Sequence, residues 1–335
     1  MLESVLVLVL MLVWQVKRTE TKGEYLYTTG AVDEKQQIKW VDFDVTYEAL
    51  CLAYDWDVKT HGQEVHIGWV EILAYLGTKY GGDFKSYEKC LEKDMNALVK
   101  KLTEEGCSME ELTEEMKYYD YYLEAYGAVL GGLVGDYEIE VMDENGEKSW
   151  EKRYGLKGYF PIAKGFEYTH YDDFGSGRSY GYKRKHLGHD MMGQTGTPII
   201  AVESGTVEAL GWNQYGGWRI GIRSFDEKRY YYYAHLRQNY PYAEGLEVGS
   251  VVKAGDVIGY MGRTGYSAEE NVNNIDVTHL HWGMELIFDE ERRKQGYEVW
   301  VDVYPLTQFL YKNRCEVEKV EGTKEWKRVV EMREE

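Results

Sequence analysis

Three short runs hold the residues whose types and spacing could do chemistry: His186-Leu187-Gly188-His189-Asp190, Tyr233-Ala234-His235-Leu236 and Thr278-His279-Leu280-His281. Imidazole and carboxylate bind zinc, and a catalytic zinc takes three such ligands in a roughly tetrahedral site whose fourth position is left to water or substrate. His186, Asp190 and His281 would fill that quota. Residues two apart on a β-strand project from the same face, so His279 stands beside His281, and one of the pair can bind metal while the other works as an acid or base. His235 adds a further imidazole. Zinc lowers the pKa of its bound water toward neutrality and polarises a carbonyl, and unligated histidines then move protons or steady developing charge. The chemistry to expect is hydrolysis.

These runs, in this order, resemble the three motifs of the zinc metallopeptidases of the lysostaphin and LytM type, family M23. The likeness continues through Gly196-Thr197-Pro198-Ile199-Ile200-Ala201-Val202, Ser204-Gly205-Thr206-Val207 and the glycine-rich 255–262, and covers roughly residues 160–310. The resemblance implies one Zn2+ held by His186, Asp190 and His281, with His279 as general base and His235 as the histidine that helps stabilise the tetrahedral intermediate. It implies a zinc metalloendopeptidase acting on peptide cross-links of bacterial cell-wall peptidoglycan, outside the cytoplasm. None of the five positions is missing. Relatives that have lost ligands serve as scaffolds or activators, so the alternative is a wall-binding scaffold with the same fold. A zinc peptidase acting on proteins differs only in substrate.

Other residues near the motifs are weighed against that set. His189 neighbours Asp190, but His186 and Asp190 already match the ends of the first motif, so His189 is expected not to bind metal. His170, Asp172 and Asp173 lie in a Gly-, Ser- and Tyr-rich loop at 168–185 that should border the cleft and touch substrate, since loops beside a rigid site commonly carry recognition. The polar insertion at 266–277 reads as a wall of the groove.

The elements that position these residues are short strands. Residues 199–202, 205–210, 218–222, 229–234, 251–252, 257–258, 260–261 and 281–287 have strand composition, with turn signals at 213–217 and at Gly255-Asp256. Four consecutive tyrosines, 230–233, place two on each face, one pair in the core and the other on the outside or the groove. The expected fold class is mixed: a small all-α N-terminal domain followed by an all-β antiparallel domain of two packed sheets. A short helix is expected at 305–311 to close it.

Upstream, residues 5–14 are an unbroken apolar run, shorter than a membrane span and closer to a signal-peptide core. The expected order is therefore an apolar signal or membrane-anchor segment (1–16), a linker (17–40), a helical domain to which the sequence assigns no role (41–136), a solvated connector (137–157), the peptidase domain (158–311) and a charged tail, helical or disordered (312–335). Within 41–136, Tyr47, Leu50, Cys51 and Tyr54, then Trp69, Ile72, Leu73 and Leu76, repeat at helical spacing. Helices follow at about 86–104 and, from the capping box Ser108-x-x-Glu111, onward to Leu130. His61 and His66 read as structural or surface residues.

The net charge is −19, and residues 1–150 hold 30 of the 58 acidic residues but only 14 of the 39 basic ones. Phosphate binding needs a basic footprint, so nucleic acid is not an expected partner. Cys51, Cys90, Cys107 and Cys315 include no C-x-x-C pair; most are expected as buried free thiols, and an extracytoplasmic setting would allow a bridge whose pairing the sequence does not give.

Overall fold

The computed structural model describes residues 38–41, 43–180 and 182–334. The apolar run at 5–14 lies outside them, and within the 17–40 linker and its edge the described element is the strand Ile38–Val41. The chain divides into two units, residues 1–127 with 295–299, and residues 128–294 with 300–335.

The first unit is built on the helices Tyr47–Thr60, Trp69–Tyr80, Glu88–Thr103 and Met109–Thr113, with the greater part of Tyr119–Leu130. The apolar spacing works as expected: Leu50, Trp69, Ile72, Leu73 and Leu76 are buried together with Met95 and Leu98. Asp57 is the buried polar fastener. Its carboxylate accepts from the Trp69 backbone N–H at 2.8 Å and lies 2.9 Å from His66 Nε2, which starts the second helix and gives His66 a structural task. The Ser108–Glu111 capping box forms in both directions, at 3.1 and 2.9 Å. The helix it opens nevertheless ends at Thr113, and a new one starts at Tyr119. Glu114, Glu115 and Lys117 are all exposed, so no apolar face carries one helix across the gap. The helical segment also ends at Leu130, short of the expected 136.

The second unit is centred on one broad antiparallel sheet. His279–Leu286 pairs with Arg229–Ala234, which pairs with Gly217–Ser224, then Gly205–Asn213, then Val251–Val252; on its other side His279–Leu286 pairs with His189–Met192, and that strand with Thr169–His170. Pro198–Ile200 and Val257–Tyr260 form a separate two-stranded sheet. These antiparallel strands thus form one large sheet with a small companion. The Gly255-Asp256 turn links strands that belong to different sheets rather than a hairpin. Val207, Ile220, Ile222, Tyr231 and Tyr233 of the large sheet and Ile199 and Ile258 of the small one are all at most 1% exposed, while Ile200 joins a second cluster with Tyr159, Ala163, Ala254, Cys315 and Met332.

Two expectations fail at the ends of this unit. The 137–157 connector belongs to a hairpin of two nine-residue strands, Val134–Met142 with Lys148–Leu156, whose charged side chains stay largely at the surface of the paired strands. The 312–335 tail is neither helical nor loose: Val317–Lys319 pairs with Trp326–Arg328, and Met332–Arg333 adds to the hairpin. Burial of Cys315, Arg328 and Met332 explains why. All four cysteines are free, but only Cys315 is buried. The 305–311 helix forms as Tyr304–Leu310.

Candidate metal centre

Strand register builds the centre. Across the His189–Met192 and His279–Leu286 ladder, Asp190 faces His281 directly, and directly opposed side chains share one face of the sheet. His279 follows on that face two residues away. On the other side of the same strand Ala234 pairs with His281, so His235 comes immediately after the ladder. There the backbone turns through a left-handed conformation, φ 62°, one that histidine adopts more readily than most residues. Gly188 passes close beneath: a Cβ on it would sit 2.6 Å from the His281 ring, so only glycine lets the first motif lie against the last.

His186 arrives from a loop zipped to its own upstream segment, with Gly175 N–H donating to its carbonyl at 2.7 Å and its N–H to Ser176 O at 2.9 Å. His186 Nε2, Asp190 Oδ1 and His281 Nδ1 then converge: 3.0 Å from His186 to Asp190, 2.9 Å from His281 to Asp190 and 3.0 Å between the two imidazole nitrogens. Bonds of 2.0–2.1 Å around a tetrahedral zinc put ligand atoms about 3.3 Å apart. A triangle of three lone-pair atoms this small fits such a cation closely, and among the described residues His186, Asp190 and His281 are so placed.

The surroundings tune the three ligand groups. Burial works against the charge on His186, but Asp173 and Asp190 outweigh it and lift its pKa to about 9. Burial also opposes the Asp190 charge, yet the hydrogen bonds with His186 and His281 hold its carboxyl far below the usual range. His281 is pushed down by burial, with Asp190 pulling the other way.

The other two histidines are fixed from behind. His279 Nδ1 lies 2.8 Å from Val277 O and His235 Nδ1 lies 2.9 Å from Thr264 O. A carbonyl only accepts, so each Nδ1 carries the proton and each Nε2 keeps a lone pair. Their rings are 4.6 Å apart, and His279 Nε2 is 3.8 Å from Asp190 Oδ1. Burial pushes the His235 pKa well down, with His279 and His281 adding to the shift. The five residues singled out in the sequence are therefore brought into one cluster.

The neighbouring candidates go elsewhere. His189 is 2% exposed, and its Nε2 pairs with His170 Nδ1 at 2.8 Å, away from the triad. Burial and then His170 push the His189 pKa down to about 3. Asp173, expected at the cleft as a substrate contact, instead stands behind a ligand, its carboxylate 3.1 Å from His186 Nδ1. Arg178 pairs with Asp173, donates to Ser176 Oγ at 2.8 Å and reaches Asp190 Oδ2 at 3.4 Å. No motif marks Asp173 and Arg178; they lie 13 and 8 positions before His186, in a loop without periodicity. Of the four tyrosines, Tyr231 and Tyr233 are fully buried, while the Tyr232 ring lies 5.9 Å from that of His281. The insertion at 266–277 is stitched down, with Trp218 Nε1 donating to Asn271 Oδ1 at 2.9 Å and Gln238 Nε2 to Asn271 O at 2.6 Å.

The family model for peptidase family M23 matches residues 184–294, the stretch that contains all three motifs. The chain carries an M23 peptidase domain. It is 38% identical over 125 residues to the L-Ala–D-Glu endopeptidase of Bacillus subtilis (strain 168), across 37% of this chain and 37% of that protein. It is 37% identical over 98 residues to lysostaphin of Staphylococcus simulans, across 29% of this chain and 17% of that protein. The M23 match thus spans well under two thirds of either relative's length. A crystal structure from Ruminococcus gnavus ATCC 29149, assigned as a glycyl-glycine endopeptidase LytM, covers 88% of this chain and 96% of its own with a TM-score of 0.54 at 22% identity. That likeness shows a shared fold extending beyond the M23 domain.

Proposed function

We propose that this chain is a zinc-dependent endopeptidase that hydrolyses peptide cross-links of bacterial cell-wall peptidoglycan. One observation carries the reading: three lone-pair atoms from His186, Asp190 and His281 converge within 2.9–3.0 Å, beside two histidines whose free nitrogens are both acceptors. The relatives' activities, cleavage of an L-Ala–D-Glu bond among them, supply the substrate class. Residues 158–311 carry the chemistry.

His186, Asp190 and His281 would hold the ion; when bound, it supplies a Lewis acid for the scissile carbonyl and lowers the pKa of an attacking water. His279 Nε2 accepts the proton of that water. The Nδ1–H bond to Val277 O holds the ring in the tautomer this requires and steadies the imidazolium that results. His235 is held in the same tautomer by Thr264, so its neutral Nε2 cannot donate to an oxyanion. The proton that His279 takes up is the one returned to the leaving amine; relayed to His235 Nε2, whose ring lies 4.6 Å from that of His279, it lets His235 donate to the oxyanion before it passes to the amine.

The test is to incubate the full chain, loaded with zinc, with purified cross-linked peptidoglycan and to analyse released peptides by mass spectrometry, with His279→Ala as control. New amine ends that vanish in the control are expected. A folded, zinc-loaded protein that releases none would point instead to a wall-binding scaffold. The substrate lies outside the membrane, so the protein is proposed to act there, with the run at 5–14 as signal or anchor. Among the described residues no helix is long and apolar enough to cross a membrane. Recovery of the whole protein from the cytosolic fraction would overturn the location.

A further inference from the structure

The hairpin that precedes the first metal-binding histidine pairs Gly177–Tyr180 with Tyr182–Lys185 in the register Arg178 opposite Arg184. Opposed side chains of an antiparallel pair lie on one face. Arg178 is committed to Asp173, Ser176 and Asp190, which turns that face toward the triad. Arg184 has no carboxylate partner among the described residues. Its guanidinium lies over the Tyr215 ring at 5.0 Å and the Tyr266 ring at 5.1 Å, and its Nη1 is buried without a hydrogen-bond acceptor. Both tyrosines adjoin His235. The Tyr266 ring is 5.9 Å from that of His235, and Tyr215 precedes Gly216, whose carbonyl accepts from His235 N–H at 2.7 Å.

A guanidinium stays charged and has donors only, and burying an N–H without an acceptor is costly. Aromatic faces hold the cation in place but take none of its hydrogen bonds. The clamp therefore presents a fixed positive fork beside His235 with bonding capacity left over, and a planar fork is the geometry that grips a carboxylate.

We propose that Arg184 is a specificity residue that takes a carboxylate of the bound peptide on the His235 side of the scissile bond. The proposal rests on the endopeptidase reading and deepens it. A glycine bridge offers Arg184 nothing to bind, whereas a bond flanked by D-Glu does, so the substrate class is an acidic stem peptide.

Three probes decide it: a stem peptide containing L-Ala–D-Glu, the same peptide with the D-Glu carboxylate amidated, and pentaglycine. The full zinc-loaded chain and its Arg184→Gln variant are compared on each for kcat/KM, with zinc content and thermal midpoint as checks on folding. Binding of the same peptides is measured on His279→Ala with and without Arg184→Gln. The native protein is expected to favour the acid over the amide about 10–100-fold, the size of a charge-assisted hydrogen bond. Arg184→Gln should erase that preference by lowering only the acid peptide. Equal handling of acid and amide by the native protein overturns the proposal, and so does an equal loss on both in the variant. If no peptide is cut, the endopeptidase reading fails on its own account, and the binding arm still decides: an acid preference lost with Arg184→Gln supports the clamp, and no preference overturns it.

Discussion

The paired strands Arg229–Ala234 and His279–Leu286 carry a buried polar cluster at each end, and the two are built to opposite rules. At the Arg229 end everything is matched. Arg229, 1% exposed, donates to Glu203 through Nε and Nη2 at 2.8 and 2.9 Å, to Ala128 O through Nη1 at 2.8 Å and to Asp226 at 2.9 Å, while Tyr231 donates its hydroxyl to Glu203 at 2.6 Å. At the His281 end three acceptors face one another across 2.9–3.0 Å and need a proton or a cation between them. Burial is tolerated in the first case because charge and hydrogen bonds close on themselves. In the second, three acceptors are left to share a proton that a cation can displace, which is a capacity to bind. The difference separates a cluster that serves the fold from one that serves chemistry.

The largest effect should come from removing a ligand group. Asp190→Ala is expected to abolish zinc retention and lower peptide hydrolysis by several orders of magnitude, because the water and carbonyl lose their Lewis acid. Zinc should also stop raising the thermal midpoint, an effect that in the native protein reaches about 4 kcal/mol at a thousandfold excess over Kd. A variant whose midpoint still responds to zinc would remove Asp190 from the ligand set.

Next in size is the closed cluster. Glu203→Ala leaves the Arg229 charge buried with its main partner gone, a loss expected to cost about 3–5 kcal/mol in chemical denaturation. Zinc affinity of the folded fraction should be unchanged. Adding Arg229→Met, which removes the stranded charge, should recover much of the loss. A cost below about 1 kcal/mol for Glu203→Ala would mean that this end is not the load on folding that its bonding indicates.

An intermediate effect tests the layer behind the metal centre. Asp173 holds the far nitrogen of His186 at 3.1 Å, and such partners typically contribute 10–100-fold to metal affinity. Asp173→Asn should weaken zinc by about that factor while leaving the fold intact. An unchanged Kd by competition with a chelator would assign Asp173 to the loop alone.

How much of this was legible follows from where each residue gets its neighbours. His186, Asp190, His235, His279 and His281 were readable because ligand chemistry limits the residue types, and strand alternation puts His279 with His281. The helices of the first unit were readable from 3.6-residue spacing at Leu50, Ile72 and Leu76. Asp173, Arg178 and Arg184 were not, since their partners are chosen by the hairpin register of 177–185 and by a loop that no periodicity describes. The tail at 312–335 looks solvated by composition, yet three-residue strands such as Trp326–Arg328 need only one or two buried side chains. The buried Arg229 shows the same limit from the other side: a lone arginine in a tyrosine strand reads as surface until Glu203 is placed beside it.

The sharpest test of the comparison is pH, because the open cluster holds a proton that the metal must displace. In the metal-free protein burial disfavours the His186 charge, but Asp173 and Asp190 raise its pKa from 6.5 to about 9. A pKa raised by folding adds stability that is complete below the unfolded value near 6.5 and is lost as pH climbs through about 9, a total of roughly 3 kcal/mol. Zinc requires that nitrogen deprotonated, so affinity runs the other way and should gain about tenfold per pH unit across the same window. The metal-free midpoint is therefore expected to fall from pH 6.5 to 9 while the increment given by zinc grows. Asp173→Asn, which weakens the hold on the proton, should move both slopes to lower pH; Glu203→Ala should move neither. Zinc affinity that stays flat over this window would mean that His186 does not hold the proton the metal displaces, and the contrast between a closed cluster and an open one would have to be drawn elsewhere.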